Sequence, residues 1–142
     1  MAKKRNRSMP GSTVIPVLHY RDVAEAVERL GAAFGFALRL SIGDHRAQML
    51  VGDGDFVIAR GEPGMMQIMV RVNDAREMYE RARGSGFVTS GAPVDFPYGE
   101  RQFSVEDHAG YIWTFSESIA NVDPADWGGE LRGAERQSGL VN

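Results

Sequence analysis

Residues 14–36, VIPVLHYRDVAEAVERLGAAFGF, decide the fold, because a variant of this stretch occurs a second time in the chain. The second copy, residues 67–87, reads QIMVRVNDAREMYERARGSGF. Each copy has an apolar run, the motif Asp-x-x-Glu, a segment with the period of a helix, and then Gly-Phe. An internal repeat of this kind indicates a fold built from two similar modules.

The first copy predicts a strand followed by a helix. Residues 13–20 are rich in strand-forming types, and Pro16 favours an edge position or a strand that starts late. Asp22 is a suitable N-cap, and Glu25 three residues later is its usual partner. Gly35 is the residue best suited to end the helix, because glycine readily adopts the left-handed backbone conformation.

The remainder of each half predicts three further strands, separated by glycine-rich turns such as Gly52-Asp53-Gly54. In the first half we expect them at residues 37–42, 46–51 and 56–60. In the second half a strand at 67–72 and a helix at 74–83 precede strands near 87–89, 101–105 and 111–117. The order βαβββ therefore occurs twice, in one domain of two modules at residues 13–60 and 65–118, which is an α+β fold.

Both ends of the chain differ in composition from the repeat. We expect residues 1–12 to form a disordered basic arm, because they contain Lys3, Lys4, Arg5 and Arg7 and no apolar run. Without such a run they do not resemble a signal peptide. Residues 119–142 are polar and rich in glycine, and we expect a tail in which Trp127 docks on the domain.

Composition excludes several classes of function. The formal net charge of −3 gives no electrostatic reason to expect nucleic acid as a partner. No apolar run approaches the roughly 20 residues that span a bilayer, so we expect no membrane insertion. The absence of cysteine removes disulfides, thiolate catalysis and thiolate metal sites. We therefore take a cytoplasmic location as the default.

The repeat, together with YGERQFSVEDHAGYIWTFS at residues 98–116, resembles the vicinal oxygen chelate superfamily. More narrowly, residues 14–118 are similar to single-chain proteins of the glyoxalase/bleomycin resistance type. The resemblance implies the glyoxalase/bleomycin resistance/dioxygenase fold, in which two βαβββ modules form curled mixed sheets around a cavity. It also implies a homodimer that completes this cavity.

Enzymes of this superfamily hold a divalent metal with side chains from separate strands, and the metal polarises substrate oxygens. The resemblance assigns the ligand positions to Ile15, Ala59, Gln67 and Thr114. Isoleucine and alanine have no donor atoms, and one amide with one hydroxyl does not replace the usual histidine and carboxylate set. We therefore expect no metal, no cofactor and no catalytic residue from this pattern.

Strand alternation predicts a ligand pocket instead. Its wall is expected to include Val17, His19, Val57, Gln67, Met69, Arg71, Ile112 and Thr114. This mixture of aliphatic, methionine and polar side chains suits a flat or flexible organic ligand. Trp113 and Phe115 alternate with these residues and are expected in the core.

Two residues carry alternative interpretations. Arg101, which follows Tyr98-Gly99-Glu100, is expected in a loop where it binds a ligand anion. The alternative is a surface ion pair with Glu100 or Glu106. His19 is either a general base or substrate donor, or a hydrogen-bonded histidine near a strand end.

The leading hypothesis is a metal-free binding protein that holds or sequesters a small organic molecule in the cavity of a homodimer. The alternative is an isomerase, lyase or dioxygenase, which requires a bound divalent metal or catalysis by His19 without one. A third hypothesis is a non-catalytic interaction module whose cavity is filled by its own side chains.

Overall fold

The computed structural model describes residues 6–132, in which two helices and nine strands follow the predicted order closely. In chain order these are β1 (Val17–Tyr20), α1 (Val23–Phe34), β2 (Ala37–Ile42), β3 (Arg46–Val51), β4 (Gly54–Arg60), β5 (Gln67–Arg71), α2 (Ala75–Gly84), β6 (Val88–Thr89), β7 (Val94–Phe96), β8 (Glu100–Glu106) and β9 (Ile112–Ser118). A short 3₁₀ helix, Pro124–Trp127, follows. Neither α-helix in this part of the chain has the length and apolar character that crossing a bilayer requires.

Local signals in the sequence set where the two helices begin and where the first one ends. The Asp22 side chain accepts a hydrogen bond from the Glu25 backbone N–H at 2.9 Å, and Asp74 accepts one from Glu77 at 3.0 Å. The first helix ends at Gly35, whose φ of 79° is in the left-handed region that glycine tolerates without strain. The caps predicted at Asp22 and Gly35 are therefore confirmed, and the structure adds the same N-cap at Asp74.

The first compact unit comprises residues 6–31 and Gly35–Pro63 and contains a four-stranded sheet, sheet A, in the order β1-β4-β3-β2. Strand β1 is parallel to β4, and the other neighbours are antiparallel. One face of sheet A carries buried apolar side chains. We call the opposite face the arm face, and by register it carries Val17, His19, Gln48, Asp55, Val57 and Ala59.

The described part of the N-terminal arm, residues 6–12, contacts sheet A, and a disordered arm at residues 1–12 stays a prediction. The backbone carbonyls of Arg7 and Ser8 accept hydrogen bonds from the side chains of Arg39 and Gln48, so this part of the arm lies on the arm face of sheet A. These contacts are made by main-chain carbonyls, which any residue type carries, so composition does not reveal them. Residues 1–5 of the predicted arm lie outside the described residues.

The second compact unit comprises Ala32–Phe34 and the chain from Gly64 onward, and it contains sheet B in the order β5-β9-β8-β6. Strand β5 is parallel to β9, and β7 pairs with β8 as an additional short strand that the sequence did not predict. Helix α2 packs on one face of sheet B, where Tyr79 lies 5.6 Å from Phe103 between ring centroids. The predicted core residues Trp113 and Phe115 are buried on this face.

The α+β prediction is thus confirmed as two mixed sheets of four and five strands with two helices. Strands β2 and β3 have the predicted bounds, and β1 starts after Pro16, as that proline indicated. Strand β4 starts at Gly54, two residues before the predicted position.

Candidate functional site

The face of sheet B that points away from α2 carries most of the polar strand residues of the second unit. Residues along β9 alternate between the two faces, so Thr114, Ser116 and Ser118 lie opposite the buried Trp113 and Phe115. Residues paired with them on β5 and β8 share their face. We call this surface the open face, and it includes Gln67, Met69, Arg71, Glu100, Gln102, Ser104, Ile112, Thr114, Ser116 and Ser118.

One half of the open face is a chain of neutral hydrogen-bonding groups. The Gln67 Nε2 donates to the Thr114 hydroxyl at 3.1 Å, and that hydroxyl lies 2.8 Å from the Ser104 hydroxyl. Thr114 is 5% exposed, whereas Gln67 is exposed. The Gln67 side chain is therefore the member of this chain that a ligand reaches first.

The other half of the open face is centred on the Glu100 carboxylate. Ser116 and Ser118 each donate to one of its oxygens at 2.5 Å, and the Arg71 guanidinium lies 4.0 Å away. These hydroxyl donors, followed by the Arg71 charge, hold the pKa of Glu100 below its usual value, so the carboxylate is ionised at neutral pH. The Glu100 side chain is 20% exposed. A donor group on a ligand can therefore reach this carboxylate.

Three aromatic side chains form a cluster next to Glu100. The rings of Phe96 and Tyr98 stack with centroids 5.4 Å apart, and Trp127 lies 5.3 Å from Tyr98. Phe96 pairs across the sheet with Glu100, which puts it on the same face. Phe96 and Trp127 are 37% and 47% exposed. We call Phe96, Tyr98 and Trp127 the aromatic rim. Trp127 was predicted to dock on the domain, and it does so by packing against Tyr98.

Gly99 holds the aromatic rim and the carboxylate in this arrangement. Its φ is 86°, and its carbonyl accepts a hydrogen bond from the Ile119 N–H at 2.8 Å. A Cβ atom at this position would collide with the Ala120 carbonyl oxygen. Only glycine therefore permits this turn, which aims Tyr98 and Glu100 at the same surface.

Most of the predicted pocket residues of the second module lie together on the open face. These are Gln67, Met69, Arg71, Ile112 and Thr114. Alternation along each strand predicted which of its residues share a face, and the parallel pairing of β5 with β9 puts both sets on the same face. Their role in binding a ligand stays a prediction.

Arg101 does not belong to this group. It lies in β8 on the same side as Phe103, which packs against α2, and its guanidinium binds the Asp95 carboxylate through contacts of 2.7 and 3.2 Å. This contact holds the pKa of Asp95 below its usual value. The ion-pair partner of Arg101 is therefore Asp95 and neither Glu100 nor Glu106. Asp95 lies on β7, which the sequence did not predict as a strand.

The predicted pocket residues of the first module, Val17, His19 and Val57, lie on the arm face of sheet A. Val57 is 4% exposed and Val17 is 38% exposed. His19 is exposed, with its ring directly beside Gly61, where an added Cβ would lie 2.9 Å from the ring Cδ2. General-base catalysis by His19 stays a prediction.

The four positions at which the family holds a metal do not fit an ion. Ala59 is buried and has no donor, and Ile15 has none. Gln67 and Thr114 hydrogen bond to each other. Residues 6–132 contain no group of three or more His, Cys, Asp or Glu side chains arranged to hold a metal ion.

Sequence reasoning missed half of the open face. The residues missed are Glu100, Gln102, Ser104, Ser116 and Ser118. A signal exists in the alternation of polar and apolar residues in ERQFSVE and IWTFSES, which is typical of two-sided strands. That signal reveals a face, but it does not reveal that the polar residues of β8 stand opposite those of β9.

Comparisons with known proteins agree with this architecture. A family model described as Glyoxalase/Bleomycin resistance protein/Dioxygenase superfamily matches residues 9–115. TioX from Micromonospora sp. ML1 is 30% identical over 77% of this chain and 100% of that chain, with a TM-score of 0.69. The bleomycin-binding protein from bleomycin-producing Streptomyces verticillus, solved with copper(II)-bleomycin, is 23% identical over 81% and 97%, with a TM-score of 0.57. Lactoylglutathione lyase from Agrobacterium tumefaciens is 16% identical over 85% and 100%, with a TM-score of 0.64.

The last two likenesses show the fold alone. No curated protein matches the chain significantly. The family match and these structures confirm the resemblance and the fold class that the repeat predicted.

Proposed function

We propose a function that proceeds from one premise: this chain belongs to the Glyoxalase/Bleomycin resistance protein/Dioxygenase superfamily. Within it, the protein binds or sequesters a small organic molecule, without a metal ion, on the open face of sheet B. The observation that carries the proposal is the ionised Glu100 carboxylate, partly exposed, beside the aromatic rim. A homodimer completes the cavity around this face.

The side chains of the open face suit a flat ligand that bears polar groups. A planar ring gains contact area on exposed Phe96 and Trp127. A donor on the ligand reaches Glu100, and an acceptor reaches Arg71 or Gln67. Met69, which is 63% exposed, supplies an adaptable apolar contact beside them.

The superfamily contains proteins named for binding and proteins named for catalysis, so membership alone does not choose between them. The donor atoms of this chain favour binding. A metal-dependent isomerase, lyase or dioxygenase needs a ligand set, and here Ile15 and Ala59 stand at two of the four family positions. Polar groups and aromatic surface, by contrast, are abundant on the open face.

Ligand binding is expected to raise the melting temperature. In a thermal-shift screen against aromatic and polycyclic compounds, a ligand at a hundredfold excess over its Kd stabilises the fold by about 2.7 kcal/mol. For the best compound, Glu100→Gln and Phe96→Ala are each expected to weaken binding at least tenfold, because they remove the carboxylate and part of the aromatic rim. Glu80→Gln, on the exposed surface of α2, is the matched control and should bind as the wild type does.

Two outcomes contradict this proposal. If no compound stabilises the protein, the hypothesis of an interaction module without a ligand is favoured. If elemental analysis finds a stoichiometric divalent metal that is lost in Gln67→Ala, the enzyme hypothesis replaces the binding protein.

A homodimer is expected at micromolar concentration. The second unit exposes several large apolar side chains, which an isolated subunit would leave in water, and the most exposed are Met65, Leu131, Val88 and Met69. Sedimentation equilibrium should give about twice the 15.6 kDa mass of the chain. Met69→Glu should shift the equilibrium towards the monomer, and a wild-type monomer would contradict the proposed dimer.

A further inference from the structure

The chain continues past β9 into a segment that lies outside the family match. That match ends at residue 115, and the whole of TioX corresponds to 77% of this chain. Residues 119–129 are nevertheless held beside sheet B in a defined conformation. We call these residues the strap, and they bring Trp127 to the aromatic rim. An element outside the matched region therefore reaches the proposed ligand site.

The first part of the strap is anchored to the turn at Gly99. The backbone N–H groups of Ile119 and Ala120 donate to the Gly99 carbonyl at 2.8 and 3.4 Å. Val122 packs beside them, since its Cγ2 lies 3.0 Å from the position of a Cβ built on Gly99. The anchor therefore lies at the turn that separates the ring of Tyr98 from the Glu100 carboxylate.

The second part of the strap, residues 123–129, is a turn that holds its own shape. The Asp123 side chain accepts a hydrogen bond from the Ala125 N–H at 3.0 Å, and the Gly129 N–H donates to the Pro124 carbonyl at 2.8 Å. Among the residues that the structure describes, the hydrogen bonds of this turn all lie within it. Rotation where the turn joins the anchored part therefore moves the turn without breaking a hydrogen bond to the sheet.

The turn contacts the domain through an aromatic pair. The Trp127 ring lies 5.3 Å from the Tyr98 ring between centroids, with 57° between the ring planes, and Trp127 is 47% exposed. A half-exposed ring contact is a weak attachment, and segments with few buried contacts open at a low free-energy cost. The indole is therefore placed to leave Tyr98 and to return while the anchor at Gly99 stays in place.

We propose that the strap closes over a planar ring bound at the aromatic rim, and that Trp127 is a specificity-determining residue of this site. The proposal rests on the ligand site proposed for the open face. The ring lies on the exposed side chain of Phe96, and the strap then brings the indole against the ring, which gains a second aromatic contact. Closure slows dissociation, because the ligand leaves only after the strap has opened.

The test follows the binding of 9-aminoacridine, a planar fluorescent ring with an amino donor for Glu100, to the full chain by stopped-flow fluorescence. For the wild type we expect a fast phase whose rate rises with probe concentration, then a slower phase whose rate saturates, which is closure of the strap. Trp127→Ala should lose the slower phase. Its dissociation rate constant should rise about tenfold, while the association rate constant stays within about twofold of the wild type.

Two further variants serve as controls. Trp127→Phe keeps an aromatic ring on the strap and should retain both phases. Val14→Ala removes an exposed apolar side chain from the first unit and should behave as the wild type does.

Three outcomes overturn the strap. A single phase in the wild type, or an unchanged dissociation rate constant in Trp127→Ala, does so while the ligand site stands. Tighter binding by Trp127→Ala also does so, because the indole would then block the site. Binding that is absent from every chain removes the strap together with the planar ligand on which it rests.

Discussion

Asp107→Ala is expected to lower the free energy of unfolding by about 3 kcal/mol or more, because it leaves three donors without a partner. Asp107 is 4% exposed. Its Oδ1 accepts hydrogen bonds from the backbone N–H groups of Ala109 and Tyr111 at 2.9 and 3.0 Å, and its Oδ2 accepts one from the Trp113 Nε1 at 3.0 Å. One carboxylate therefore closes the turn before β9 and ties that turn to the core of the second unit.

Urea denaturation of the wild type and the variant measures this effect. Asp53→Ala is the matched control, since Asp53 lies in the corresponding turn of the first module but is exposed, and its effect should stay within about 0.5 kcal/mol. Asp107→Asn should lie between the two, because an amide still accepts hydrogen bonds but has one oxygen fewer. A loss below about 1 kcal/mol for Asp107→Ala would mean that water replaces the carboxylate in the turn.

The second large effect is expected for Phe34→Ala, which should cost about 3–5 kcal/mol by opening a cavity. Phe34 is 3% exposed, and its ring lies 4.9 Å from Phe115 and 5.6 Å from both Phe87 and Trp113 between centroids. Removing the ring takes a contact from each of these three partners at once. Close packing prevents the neighbours from filling the space completely.

Phe96→Ala is the control for Phe34→Ala, because it is the same change at a side chain that is 37% exposed. Its cost should be about 1 kcal/mol, since less apolar area is lost and no closed cavity forms. The comparison uses the same denaturation experiment for both variants. Equal losses would contradict the packing that the structure gives to Phe34.

The predictions for Asp107 and Phe34 concern the stability of the fold, and the position of the proposed site depends on that fold. Strand β9 has Trp113 and Phe115 on its helix side and Thr114 and Ser116 on its open side. A shift of β9 by one residue would exchange these sets. The buried contacts of Asp107 and Phe34 hold β9 in register, and so they keep the polar groups on the open face.

The residues that sequence reasoning identified and those that it missed differ in one physical respect. Gln67, Met69 and Arg71 alternate along a single strand, and their shared face follows from that strand alone. Glu100 lies 16 positions from Ser116 and 18 from Ser118, which donate to it. No local pattern shows which residue of β8 stands opposite which residue of β9.

The loop position and the ion-pair partners predicted for Arg101 were wrong for the same reason. An arginine after Tyr98-Gly99-Glu100 suggested a loop above the pocket, with Glu100 or Glu106 as the alternative partner. The actual partner, Asp95, comes from a three-residue strand that contains no run long enough to be read as one. Residues 94–96 form a strand only because they pair with β8, and this pairing arises when the chain folds.

The amino-acid sequence alone was sufficient for the doubled order of strands and helices, for the helix caps at Asp22 and Gly35, and for the identity of Ile15 and Ala59, which carry no donor atoms. Each of these depends on residue identity or on contacts three or four positions apart. Only the tertiary structure decided that Glu100 joins two serines and an aromatic rim, and that the N-terminal arm lies on sheet A. The contacts of Glu100 with the serines, of Tyr98 with Trp127 and of the arm with sheet A join residues far apart in the chain, so they exist only once strand register and packing have brought them together.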